Sequence, residues 1–448
     1  MRKFTHLIAS LSVSALSLAS SITASAQWEQ CLQLPECMAV FVTSKGTVLC
    51  SPQSYSSDRS IQVSDDEGAS WTECGVKNWI YNSFFEAGPY IFALGDGGHV
   101  ARSEDDGHTW IVLNYSRTIS DYVSEKEADY VVAYGATYDP ELERIYVAIQ
   151  SGVGVVYSDD YGETWTLADR ESLMVLRFSE NEPPQMDTYY QMYHYKDKTY
   201  LFGIYFIYEY DPAADKWMVV RDPDNNPVSS NFMATFTEKD GVLYAARTQP
   251  NTEWFVFHTE DMHSWVFPAY PEGMRSGYVR AIDSDDENIY AATLNFGIYY
   301  SPDLTDTWIP ISEGLPAHAQ IEEAVLDNAI SLAHTDNYLF VAMFNVGGDT
   351  PGVWRMPLAD IKTGNPENPD KPEDGIDVAT VCDAAVAITG GKLTAPDAVA
   401  VSVMTPAGAK AISVSGAEAS VESLPTGVYI YNVTRTDGST LSGKFIKR

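Results

Sequence analysis

Apolar residues along this chain come in short runs, each cut off by Gly or Asp, and few recur at helical spacing. Pro89-Tyr90-Ile91-Phe92-Ala93-Leu94 leads into Gly97-Gly98-His99-Val100-Ala101-Arg102-Ser103. Arg144-Ile145-Tyr146-Val147-Ala148 leads into Gly154-Val155-Val156-Tyr157-Ser158, and Asn288-Ile289-Tyr290-Ala291-Ala292 into Gly297-Ile298-Tyr299-Tyr300-Ser301. Short runs rich in Tyr, Phe, Val and Thr, with turn residues between them, predict β-strands. A polar phrase then follows the second run of a pair. Its clearest copies are Ser64-Asp65-Asp66-Glu67-Gly68-Ala69-Ser70-Trp71, Ser103-Glu104-Asp105-Asp106-Gly107-His108-Thr109-Trp110 and Ser158-Asp159-Asp160-Tyr161-Gly162-Glu163-Thr164-Trp165. The unit is strand, turn, strand, phrase, strand, and one inner strand upstream makes it a four-stranded antiparallel sheet.

Degenerate copies extend the series. Ser301-Pro302-Asp303 through Thr307-Trp308 lacks only the Gly. Thr259-Glu260-Asp261 through Trp265 is one residue shorter, and Tyr210-Asp211-Pro212 through Trp217 one longer. Markers at 64, 103, 158, 210, 259 and 301 lie 39, 55, 52, 49 and 42 residues apart. Repeats of this period suit the blades of a propeller with variable loops. A seventh unit, Asn337-Tyr338-Leu339-Phe340-Val341-Ala342 and Gly352-Val353-Trp354-Arg355-Met356, ends without phrase or terminal Trp strand. Gln27-Trp28-Glu29-Gln30-Cys31 reads as the missing strand, and pairing it beside the last unit removes an open edge. The expectation is an all-β chain holding a seven-bladed β-propeller closed by its N-terminal strand.

The phrase has a mechanical reading. A carboxylate such as Asp66, Asp105 or Asp160 accepts from the N–H groups of the turn between third and fourth strands. Gly68, Gly107 and Gly162 take a positive φ. Trp71, Trp110, Trp165, and likewise Trp265 and Trp308, bury a ring against the next sheet. These aspartates are therefore turn staples, with Ser64, Ser103, Ser158 and Ser301 opening the turns and Asp261 and Asp303 as degenerate equivalents; they are not acids, bases or calcium ligands.

The remaining composition places the chain. Arg2 and Lys3, an apolar stretch from Leu7 to Ala19 and Ala24-Ser25-Ala26 predict a signal peptide at 1–26, too short and Ser-rich to span a bilayer. No later segment is long and apolar enough to cross a membrane. A formal charge of −34, from 28 basic and 62 acidic residues, argues against nucleic acid and against anionic lipid. Cys31, Cys37, Cys50 and Cys74 crowd the start of the mature chain, with Cys382 far away. An oxidising compartment permits two disulfides among the four, in three connectivities; Cys31–Cys37 with Cys50–Cys74 is preferred. No His accompanies them at zinc-ligand spacing.

The phrase resembles the Asp-box (BNR) repeat of sialidases, sortilin-type receptors, xyloglucan-active hydrolases and photosystem assembly factors, over residues 27–361. The resemblance implies the propeller and leaves the activity open. Xyloglucan hydrolases of this type use two rings, and this stretch suits one. Sialidases carry an Arg-Ile-Pro motif and a triad of arginines to clamp a carboxylate; no Arg-Ile-Pro occurs here, and nothing marks three arginines as a clamp. Residues 362–377 are a Pro-rich linker, and 378–448 read as a small Ig-like β-sandwich, with Val at alternate places in Val399-Ala400-Val401-Ser402-Val403. Its end, Leu424-Pro425-Thr426-Gly427-Val428-Tyr429-Ile430 to Gly443-Lys444-Phe445-Ile446-Lys447-Arg448, is similar to the Por-type (type IX) secretion sorting domain. That resemblance implies passage through the periplasm to the outer-membrane surface or beyond, with residues 378–448 engaging the secretion machinery.

Three functions fit: a secreted or cell-surface propeller binding glycan or protein; a sialidase-like glycoside hydrolase at the channel mouth; or a scaffold for other exported proteins. Binding is favoured, with a monomeric chain expected. Tyr189-Tyr190, Tyr193, Tyr195, Tyr205 and Tyr208 offer faces for sugar rings, though blade packing explains such residues more simply. Glu86, Asp285 and Asp286 are the carboxylates hydrolysis would draw on. No nucleophile elbow, phosphate loop or metal-spaced His cluster occurs, so no cofactor and no metal are expected.

Overall fold

The computed structural model describes residues 28–362 apart from 35–36, 53–59, 78–79, 123–130, 134, 150–152, 176–184, 248–255, 269–278, 294–296, 303–306, 316, 321–322, 327 and 345–351. It also describes residues 387–447 apart from 390–391, 396–397, 406–409, 422–423, 425–426 and 437–439. Residues 1–26, read above as a signal peptide, and 363–377 of the stretch read as a linker lie outside the described residues, while Lys362 ends the helix Leu358–Lys362. The chain divides into two compact units, Met1–Lys362 and Thr363–Arg448.

Seven four-stranded antiparallel sheets occur in the first unit among the described residues. The first comprises Cys37–Val42, Val48–Pro52, Ser60–Ser64 and Thr72–Lys77. The second to sixth occupy residues 81–114, 135–167, 189–219, 233–266 and 279–310. The seventh takes three strands from 328–357 and its outermost from the other end of the chain: Glu29–Gln33 pairs antiparallel with Gly352–Pro357, Glu29 opposite Arg355 and Gln33 opposite Gly352. The first strand of each sheet packs against the first strand of the next, and that of the seventh against that of the first. The sheets therefore surround an axis, the arrangement of a β-propeller.

Antiparallel order puts two turns of each sheet at one end, between strands one and two and between strands three and four. The polar phrases lie there. In the second sheet, Ser103 Oγ accepts from Gly107 N (2.8 Å) and donates to Asp105 Oδ1 (2.9 Å). Asp105 accepts from Thr109 N (2.7 Å) and Thr109 Oγ1 (2.7 Å), and Trp110 Nε1 donates to Gly107 O (2.7 Å). The same bonds recur at Ser64, Asp66, Gly68 and Trp71, and at Ser158, Asp160, Gly162 and Trp165. Two consecutive residues adopt positive φ, Asp106 (60°) and Gly107 (94°), and the glycine alone was expected to. In the short copy Asp261 accepts from His263 N and Ser264 N, Met262 takes the glycine's place, and Trp265 Nε1 donates to its carbonyl. Asp303 lies outside the described residues.

The tryptophans pack against the preceding sheet, whereas the sequence placed them against the next. A Cβ added to Gly107 would stand 2.5 Å from Leu49 Cδ2 in the first sheet, which brings the turn down onto its predecessor. Each of seven hydrophobic clusters between neighbouring sheets takes one of these tryptophans: Trp71, Trp110, Trp165, Trp217, Trp265 and Trp308 in chain order, and Trp28, joined by Trp354, between the sixth and seventh.

Cysteine placement also departs from the preferred pairing. Cys37 and Cys50 lie on adjoining strands with Sγ atoms 2.7 Å apart. Cys31 Sγ faces Val353 O and Cys74 Sγ faces Ile61 O, and burial pushes both of their thiols up to about 12. Strand register decides this, since Cys31 belongs to the closing strand and Cys74 to the outermost strand of the first sheet. Under oxidising conditions the bridge expected is Cys37–Cys50, closing a loop worth about 3 kcal/mol. A non-reduced peptide map read by mass spectrometry checks it, and a Cys31–Cys37 peptide would refute it.

In the second unit a four-stranded sheet, including Ala398–Met404, Gly427–Arg435 and Thr440–Lys447, and a three-stranded sheet share one hydrophobic cluster around Leu393, Val401, Val403, Ala419, Tyr431 and Val433.

Candidate functional site

The first strands, which line the axis, end in polar residues. Glu86 lies in Tyr81–Ala87, Asp139 ends Gly135–Asp139, His194 lies in Tyr189–Tyr195, Glu238 in Met233–Lys239, Asp283 in Val279–Ser284, and His334 ends Asn328–His334. Neighbouring sheets are stitched there. Glu86 Oε1 accepts from Ser44 N (2.7 Å), Thr237 and Ser284 hydroxyls meet at 2.7 Å, and His334 Nδ1 stands 2.8 Å from Asp283 Oδ2. Burial, then the charge of Glu238, pushes the Tyr193 hydroxyl up to about 12.

Of the carboxylates that hydrolysis would draw on, those of Glu86 and Asp285 are engaged elsewhere. Asp285 accepts from Glu287 N (2.8 Å), Asn288 N (2.6 Å) and Tyr290 OH (2.8 Å), which makes it the staple of the turn between the first and second strands. The backbone carbonyls of Asp285 and Asp286 both accept from buried Lys239. Asp139 repeats the staple, its Oδ1 accepting from Glu141 N and Leu142 N. Tyr195 and Tyr208 are 1% exposed and pack between sheets. Tyr193 and Tyr205 are half-buried at the same interfaces, and the side chains of Tyr189 and Tyr190 lie outside the described residues.

The His334 imidazole is tied to Asp283 of the neighbouring sheet. Burial works against its charged form, but the hydrogen bond and charge of Asp283 outweigh that and raise its pKa. A raised histidine stabilises the fold fully below its unfolded value of ~6.5 and loses that contribution as pH rises through the folded value. Stability is expected to decline on going from about pH 6 to about pH 8, and His334→Gln should flatten that slope. An unchanged slope in urea titrations of His334→Gln would assign it to another group.

Basic side chains occupy the walls between sheets. Arg102, 7% exposed, donates to Tyr161 O and to Glu163, itself 56% exposed, and lies over the Tyr90 ring. Arg144 bridges to Asp159 and Tyr210 OH, and Arg355 to Glu29 and the Glu67 carbonyl. Lys239 is likewise 7% exposed, beside Asp240 at 78%. In these four pairs the cation turns inward and its carboxylate partner outward, whereas Lys45 and Lys198 stand outside Asp106 and Glu209.

No helix among the described residues is long and apolar enough to cross a membrane. No protein-family model matches the chain, and no curated protein matches it in sequence. Solved structures do match in shape. A virginiamycin B lyase from Staphylococcus aureus is similar at 11% identity and a TM-score of 0.51, over 74% of this chain and 99% of that one. A GH74 xyloglucanase from Xanthomonas campestris is similar at 13% identity and 0.50, over 75% of this chain and 54% of the hydrolase. YCF48 from Cyanidioschyzon merolae gives 13% identity and 0.47, over 74% and 98%. At these identities the likeness to the lyase and the xyloglucanase is one of fold, and the fold is a β-propeller.

Proposed function

We propose that the chain is an exported, monomeric, seven-bladed Asp-box propeller that binds a positively charged protein at the face carrying the polar turns, without turnover. The observation that carries this reading is the inward placement of Arg102, Arg144, Lys239 and Arg355 against outward carboxylates. The formal −34 is thus carried in part by carboxylates that stand outside their cationic partners, and such a surface steers a basic partner. Engagement of Asp285 and Glu86 in fold-internal bonds weighs against the hydrolase reading.

Export rests on residues 1–26 and on the similarity of 424–448 to a type IX sorting domain. Two sheets over one cluster support the Ig-like sandwich for the second unit. The mature chain is then expected to begin at Gln27 and to be released or held at the cell surface.

Arrays of basic and acidic peptides, a glycan array and a panel of aryl-glycosides and sialosides test the function. Binding should favour basic peptides and weaken steeply between about 0.01 M and about 1 M salt, as the Debye length shortens from about 30 Å to about 3 Å. Salt-insensitive glycan binding would replace the protein ligand with a sugar, and turnover of any glycoside would replace binding with hydrolysis.

A further inference from the structure

One cluster among these axis-end residues has chemistry of its own, where the third and fourth sheets meet at the turn end. Ligand-type atoms of Asp139, Glu141 and His194 lie within 4.8 Å of one another. Hydrogen-bond bookkeeping fixes the histidine. Thr199 Oγ1 is 2.8 Å from Asp139 Oδ2, and an ionised carboxylate only accepts, so the hydroxyl proton points there. The hydroxyl then accepts from His194 Nδ1 at 3.2 Å. In the neutral ring this leaves the Nε2 lone pair facing Glu141 Oε2 at 3.3 Å, another acceptor. Two acceptors so placed repel unless positive charge lies between them. A proton supplies it when the ring is charged, and a divalent cation supplies it when the ring is neutral.

One pair already has the spacing of zinc ligands: bonds to His nitrogen and carboxylate oxygen of about 2.0–2.1 Å, set tetrahedrally, place neighbouring ligand atoms about 3.3 Å apart, as His194 Nε2 and Glu141 Oε2 are. The third ligand atom, from Asp139, lies within 4.8 Å of the others and closes on them when the ion binds. The acidic character extends beyond the three ligands. The cluster opens on a cavity of about 350 Å³ whose wall carries Asp139, Glu141, Asp197, Glu209 and Asp211 against a single Lys198. That lysine is itself held by Glu209 at 2.6 Å. We propose that Asp139, Glu141 and His194 form a zinc site between the third and fourth sheets, with its fourth position open to this cavity. Imidazole selects zinc over calcium, which takes oxygen ligands.

Isothermal titration of the untagged, EDTA-treated full chain with zinc chloride tests the site. One equivalent is expected to bind. His194→Gln and Glu141→Gln should each weaken that equivalent by more than about 100-fold, since each removes a direct ligand where even a supporting contact is worth about 10–100-fold. Both variants should keep wild-type circular dichroism, because neither side chain holds a turn amide; Asp139 does, so it is left intact. Cobalt substitution gives a second readout, as a four-coordinate visible absorption band present in the wild type and absent in His194→Gln. No saturable equivalent in the wild type, wild-type zinc affinity in both variants, or calcium binding as tight as zinc would each overturn the proposal.

Discussion

Trp28→Ala is expected to destabilise the propeller by about 3–5 kcal/mol, the range for removing a large aromatic from a packed core. Trp28 is 2% exposed, and its Nε1 donates to Ile311 O at 2.5 Å. It anchors Glu29–Gln33 on the seventh sheet, so its loss also loosens the strand that covers Gly352–Pro357. An uncovered edge invites pairing with another chain. The variant should therefore show a lowered urea midpoint together with concentration-dependent association in sedimentation velocity. Ile111→Ala, at a position 46% exposed on an outermost strand, should change stability by less than about 0.5 kcal/mol. If Trp28→Ala unfolds at the wild-type midpoint and remains monomeric, closure does not depend on this anchor.

Gly107→Ala should be the second severe change, at about 2–5 kcal/mol. A left-handed backbone costs an alanine about 1–2 kcal/mol. Forcing a methyl within 2.5 Å of Leu49 Cδ2 adds about 1–3 kcal/mol of overpacking. Gly46→Ala separates the two contributions, because its φ is also positive (89°) while no atom lies within 4 Å of the added Cβ. It should show the conformational cost alone. Combining Gly107→Ala with Leu49→Val should recover part of the overpacking, a coupling that a double-mutant cycle measures directly. Equal losses for Gly46→Ala and Gly107→Ala would mean that the turn does not press on the preceding sheet.

Local signals in the sequence carried the strands and turns. Ser103, Asp105, Gly107 and Trp110 satisfy one another within eight residues, so spacing alone reveals the staple. The direction in which Trp110 packs was not legible, because either neighbouring sheet offers the same apolar surface and only the handed order of the sheets decides. Cys37 and Cys50 met because register, not separation along the chain, sets which thiols touch. Asp285 carried a readable signal that was overlooked: like Asp139, it follows an inner strand and stands two and three residues before the amides it accepts from. The Asp139, Glu141 and His194 cluster was hidden for a different reason. Its histidine comes from the next sheet, more than fifty residues on, and no spacing rule reaches across two sheets.

The pairing of Glu29–Gln33 with Gly352–Pro357 also sets an order of events. Arg355 and Glu29, joined by a hydrogen bond, are 326 residues apart, so this contact carries a large loop-closure entropy and forms after the sheets between them. Synthesis delivers the strand first and its partner last. Until then the early segment waits unpaired, and the kinetics of refolding should end in a slow phase in which the Trp28 indole proton is the last to gain protection from exchange.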